Sequence, residues 1–194
     1  MVKTETVHRV KYPTIASLPW SENNKNNLTL LKMDGYFNKK IIITKLNNRP
    51  PISIYSDGYV HGVSTITTPI YKEQYNDLLK EVYSELEEGW RVCGYLTKQK
   101  KAFITIDSIW NNKNECLSWE DTVEWCEILG LELPEILYKG IYNKEELLYV
   151  QLFKIIEGLD YGYLIRSSEK IHYAEFAYKV AKFEFGGKKT IFEY

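Results

Sequence analysis

Lys32 has the surroundings that most suggest chemistry. It opens the tetrapeptide Lys32-Met33-Asp34-Gly35, directly behind the apolar run Leu28-Thr29-Leu30-Leu31. A lysine at the end of a buried strand, beside a turn that lets backbone approach a ligand, can attack a phosphoryl group as a nucleophile. It must first lose its proton. At a reference pKa of about 10.4, roughly one lysine in two thousand is neutral at pH 7, so desolvation or a neighbouring cation has to supply the rest. By itself the tetrapeptide is no more than a strand followed by a turn. Other reactive types are less organised. His8, His61 and His172 are scattered without metal-ligand spacing, so no metal site is expected from them. Cys93, Cys116 and Cys126 lack a CxxC spacing and leave one unpaired under any pairing, which argues against a disulfide framework. Lys98, Lys100 and Lys101 join two strand-like runs and read as a solvated loop. No Walker-type loop or GxGxxG follows a strand.

The elements that would position Lys32 show in the hydrophobic periodicity. Residues 1–27 read as an irregular arm. Strand-like runs follow at 39–46, 52–60 (with a turn-forming Asp57-Gly58), 90–96 and 102–110. Pro50-Pro51 breaks the first pair, so a hairpin there needs a long connection. Helical stripes cover Tyr71 to Glu88, closed by Gly89, then Ser118 to Gly130, and then Asn143 to Gly158. In the second, Ser118 and Asp121 resemble a capping box. Further strands are expected at 135–138, 161–167 and in the last segment, 177–185. Strands mixed with helices, without regular βαβ alternation, predict an α+β domain with largely antiparallel sheets flanked by helices. No linker is evident, so residues 1–194 are expected to form one domain.

Composition bounds the partners. The chain has 194 residues, 44% hydrophobic and 26% charged, which excludes a disordered or fibrous protein. Lys and Arg total 25 against 26 Asp and Glu, a net charge of −1, so nothing draws the whole surface to nucleic acid. A long RNA footprint is not supported, and there is no DNA signal. No apolar run approaches a membrane span and no leader is evident, so a cytoplasmic protein is expected.

The order of several segments carries more than any one motif. KYPTIASLPWS (11–21), LKMDG (31–35), SDGYVHGVS (56–64), WRVCGYL (90–96), FITIDSIWNNKNECLSWEDTVEWCEILGL (103–131), LPEILYKG (133–140), YGYLIR (161–166) and VAKF (180–183) together resemble the ATP-dependent RNA ligase family. The likeness is to compact bacterial and phage members, and it runs from about Lys11 to Phe183. It implies a single nucleotidyltransferase domain in which Lys32 attacks the α-phosphate of ATP, with Mg²⁺, and passes AMP to an RNA 5′-phosphate. In that frame Lys32, Asp34 and Gly35 match the nucleophile motif, Lys182 matches a lysine on the α-phosphate, and Arg166 and Asp107 also match. Lys98, Lys100 and Lys101 would then be candidates for a phosphate contact.

The departures share a direction. The resemblance expects a glutamate where the chain has Leu31, an arginine at Val63, a ribose-binding glutamate at Tyr95, a metal-organising glutamate at Tyr161, an adenine-stacking aromatic at Ile106 and an arginine at Phe185. Tyrosine binds Mg²⁺ poorly and is neutral at pH 7, whereas aromatic faces stack nucleobases at about 1–3 kcal/mol each. Tyr95 and Tyr161 therefore read as base-stacking or packing residues, with Glu157 or Asp160 as nearby replacement carboxylates. The expectation is a degenerate ligase-fold protein that binds a nucleotide, ATP- or AMP-like, through Lys32, Asp34, Gly35, Tyr95, Tyr161, Arg166 and Lys182 without completing ligation. A viral protein sequestering a host nucleotide signal is one setting for it. The alternatives are an active RNA ligase using Mg²⁺, and an interaction protein that keeps only the fold.

Overall fold

The computed structural model describes residues 10, 12–22, 29, 33, 36, 38–47, 51–57, 60–62, 82, 84–96, 104–145, 147 and 161–185. In chain order the strands are β1 (Ala16–Ser17), β2 (Lys40–Lys45), β3 (Ile52–Tyr55), β4 (Val60–Gly62), β5 (Arg91–Leu96), β6 (Ile104–Trp110), β7 (Glu115–Cys116), β8 (Ile136–Ile141), β9 (Gly162–Ser167), β10 (Ile171–His172) and β11 (Val180–Glu184). They build two mostly antiparallel sheets, β1-β11-β9-β2-β8 and β10-β7-β6-β5-β3-β4. With their helices the arrangement is α+β, as the periodicity predicts. Each sheet lies in its own compact unit. The six-stranded one belongs to residues 1–13, 49–134 and 169–173, the five-stranded one to 14–48, 135–168 and 174–194.

In the five-stranded unit, side-chain alternation sorts residues onto two faces. Ala16, Leu18, Ile41, Ile43, Tyr163, Ile165, Ala181 and Phe183 form a buried apolar cluster with Tyr36 and Leu147. Their strand neighbours Ser17, Ile42, Thr44, Leu164, Arg166, Lys182 and Glu184 therefore lie on the opposite face. Gly162 makes the β9–β11 pairing possible. Its φ is +145°, and a Cβ there would meet the Phe183 carbonyl oxygen at 1.8 Å.

In the six-stranded unit, Ile52, Ile54, Val92, Ile106 and Ile109 pack with Val82, Leu86, Leu117 and Cys126. The last of these comes from the helix Trp119–Leu129, which starts as its sequence predicts: the Ser118 side chain accepts from the Asp121 N–H. Gly130, at φ 62°, ends it. Asn143 opens the next helix by accepting from the Glu145 N–H, and most of that helix lies outside the described residues, as does most of the one expected from Tyr71 to Glu88.

Three expectations are corrected. The arm read as irregular contains β1, too short to alternate and held by parallel pairing to β11. The final strand was expected over 177–185, but Phe176–Lys179 is helical and the strand begins at Val180. Phe176 buries its ring there, and Lys179 pairs with Glu175 one turn back at 2.9 Å. The runs 39–46 and 52–60, separated by Pro50-Pro51, enter different sheets, and the second splits into the β3–β4 hairpin.

Candidate functional site

Arg166 and Lys182 are brought together. Arg166 pairs in register with Val180, and Lys182 with Leu164, so both project from the same face of adjacent strands. Arg166 is 1% exposed, and its Nε donates to the Ser167 carbonyl at 3.3 Å. Ser17 lies beside Lys182 on β1, and Thr44 lies beyond Leu164 on β2; both are buried. Around Arg166 and Lys182 this face carries neutral hydroxyls and aliphatics, with Lys40 and Lys139 on it toward β8 and Glu184 two residues beyond Lys182.

Sequence reasoning missed Glu184. Its carboxylate lies 2.9 Å from the Lys182 ammonium, with side-chain exposures of 16% for Lys182 and 26% for Glu184. The signal was available: in a strand, Lys182-Phe183-Glu184 puts opposite charges two residues apart on one face. The Glu184 backbone is fixed from both sides. Its N–H donates to Ser21 Oγ at 2.9 Å, and its carbonyl accepts from the Glu22 N–H at 3.0 Å.

Tyr161 stands just before β9, 47% exposed, with its carbonyl accepting from the Phe185 N–H at 3.0 Å. Phe185 packs edge-on against Phe183 at 4.9 Å, on the apolar side. Lys32, Asp34, Gly35, Leu31, Val63, Glu157, Asp160 and the Lys98–Lys101 cluster lie outside the described residues. Thr29 bridges Ser17 in parallel and Met33 packs on the apolar cluster, so described residues on either side of Lys32 belong to the five-stranded unit.

Tyr95 belongs to the six-stranded unit, where it is buried on β5. The pairing of β5 with β6 shifts there: Cys93 opposes Ser108 while Gly94 opposes Ile106, which leaves Asp107 as the extra residue of a bulge. The Asp107 carboxylate accepts a hydrogen bond from the Tyr12 phenol. Burial, and next the Asp107 charge, hold the Tyr12 pKa well above the ordinary tyrosine value, so its hydroxyl stays protonated as the donor. Ser53 Oγ lies 3.2 Å from Cys93 Sγ, and burial pushes that thiol up to about 11 against the pull of Arg91. Arg91 is itself buried, with its guanidinium 4.6 Å from the Trp110 ring centre. Ile106, which stands where the resemblance expects a stacking aromatic, packs in the apolar cluster beneath the sheet.

Among the described residues, no three His, Cys, Asp or Glu side chains group as a metal site, and Glu184 is engaged by Lys182. Among the described residues, no helix is long and apolar enough to cross a membrane.

No protein-family model matches the chain, and no curated protein matches it. Solved structures do. A candidate ATP-dependent DNA ligase from Aquifex aeolicus superposes with a TM-score of 0.60 at 16% identity, over 90% of this chain and 50% of its own. An archaeal ATP-dependent RNA ligase gives 0.56 at 14%, over 90% and 48%. An RNA ligase from Naegleria gruberi gives 0.55 at 13%, over 86% and 58%. The chain has the nucleotidyltransferase fold of ATP-dependent ligases. It spans about half the length of the first of these structures.

Proposed function

We propose that this ligase-fold protein holds a nucleotide or nucleotide-containing ligand and does not complete ligation. One observation carries the reading: the ammonium expected on an α-phosphate is already matched by Glu184 at 2.9 Å, on the face it shares with buried Arg166. A working adenylylation site needs cations left for phosphate and carboxylates left for metal. Here a carboxylate is spent on the cation, and the residue expected as a metal-organising glutamate is the exposed Tyr161. A ligand phosphate would share Lys182 with Glu184 beside Arg166, and Lys32 becomes one more cation instead of a nucleophile. Sequestering a host nucleotide signal, as a viral protein, would require binding alone.

The second reading is an active ATP-dependent RNA ligase. Its support is the likeness to Naegleria gruberi RNA ligase, whose structures are described with ATP and manganese and with AMP and manganese. Native mass spectrometry of the protein as purified tests both. The proposal expects a non-covalent nucleotide that leaves on denaturation. A mass increase of one AMP that survives denaturation supports the ligase. Purified protein without a ligand, and without any melting-temperature rise on adding nucleotides, leaves the interaction-protein reading.

A further inference from the structure

We infer that the Arg91 guanidinium, in the six-stranded unit, binds a small anion with paired oxygens, a carboxylate or a phosphate, whose place the Asn114 side chain fills. Arg91 pairs in register with Tyr55 on β3 and Trp110 on β6, so the three side chains share one face. The guanidinium lies 4.6 Å from the Trp110 ring centre and 5.9 Å from that of Tyr55. Its Nη2 donates to Asn114 Oδ1 at 2.5 Å, while its Nε, shut off from water, donates to nothing. Among the described residues no carboxylate pairs with Arg91, although the residue is only 2% exposed. Arg166 and Lys182 belong to the other unit and take no part in this site.

Burying a charge is unfavourable unless an opposite charge and hydrogen bonds offset it. The two rings offset part of the penalty through the attraction of a cation to an aromatic face. The neutral Asn114 oxygen offsets another part. Neither supplies negative charge, and the Nε–H is left over. In a guanidinium, Nε and Nη2 form the edge that grips two oxygens of one carboxylate or phosphate in parallel bonds. An anion in place of the Asn114 amide satisfies both donors and neutralises the charge. Room for it comes from one side chain turning away, because Asn114 is half-buried in a turn, at φ 60°. The backbone of that turn is held independently: the Asn114 N–H donates to the Asn111 carbonyl, and its own carbonyl accepts from the Tyr173 N–H.

Thermal melting of the full chain in sodium acetate, inorganic phosphate or sodium chloride, at constant ionic strength, tests this. Acetate or phosphate should raise the melting temperature saturably above its value in chloride, and the more effective of the two identifies the ligand class. Asn114→Gly keeps the turn, since glycine accepts a positive φ, and should reach half of that rise at a concentration about tenfold lower. Asn114→Asp supplies a carboxylate from the chain itself, so it should melt higher than the native protein in chloride and gain nothing further from either anion. Arg91→Lys keeps the charge but lacks Nε and the fork, and should lose the response. A cooperative melting transition in each variant verifies folding. An Asn114→Gly protein that responds to acetate and phosphate no more than to chloride overturns the inference. So does an anion response that persists unchanged in Asn114→Asp.

Discussion

Gly162→Ala is expected to be among the most damaging single-methyl additions to this chain. The new Cβ would start 1.8 Å from the Phe183 carbonyl oxygen, where real contacts begin at about 3.0 Å, so β9 and β11 must separate by roughly 3.0 − 1.8 = 1.2 Å. The Phe183 oxygen is backbone and the Cβ is fixed rigidly to its own Cα, so no flexible side chain can yield. The φ of +145° adds conformational strain of about 1–3 kcal/mol for any L side chain. Separating the strands also breaks the end of the ladder that puts Lys182 and Arg166 on one face. Together these give a loss of about 4 kcal/mol or more, at the extreme of single substitutions. For a chain of this size that corresponds to a melting temperature lower by about 8–16 °C. Gly130→Ala is the control: its φ is 62°, but a Cβ there meets nothing within 4 Å, so about 1 kcal/mol of strain is the whole cost. Urea titration of both variants measures the difference. Equal losses, or a Gly162→Ala loss below about 1 kcal/mol, would refute the close-approach argument.

Tyr12→Phe should cost about 1.5–3 kcal/mol in urea titration by removing a donor from the Asp107 carboxylate, and combining it with Asp107→Asn should cost less than the sum of the two. Ser118→Ala should cost about 1 kcal/mol by leaving the Asp121 N–H at the helix start without its acceptor, with Ser118→Asp recovering most of it. Stability should fall in alkali: burial raises Cys93 from 9.0 to about 11, Cys126 from 9.0 to about 12 and Tyr163 from 10.0 to about 12. Above pH 9 the unfolded chain releases protons that the folded chain keeps, so the contribution is whole below pH 9 and is lost toward pH 12. Melting curves from pH 8 to 12 should decline over that window, and a flat profile contradicts the burial of these groups.

The parts of the fold legible in sequence are those specified locally. The isoleucine run of β2, the alternation in β9 and the Ser118 and Gly130 ends of the central helix each carry their own signal. β1 does not, because two residues cannot alternate and β11, far along the chain, supplies its partners. The helical turn Phe176–Lys179 hides within a strand-like composition because burial of Phe176 decides it. In the site, alternation in Lys182-Phe183-Glu184 could have revealed the ion pair. The Tyr12–Asp107 bond could not be read in advance: it depends on a bulge that turns Asp107 toward a segment nearly a hundred residues earlier.

Incubation with ATP labelled at the α-phosphate, in the presence of Mg²⁺, reaches the central claim most directly. With Lys182 matched by Glu184 and Tyr161 in place of a carboxylate, denatured protein should retain no label above background. A covalent label that maps to Lys32 and vanishes in Lys32→Ala would mean that the chain transfers adenylate after all.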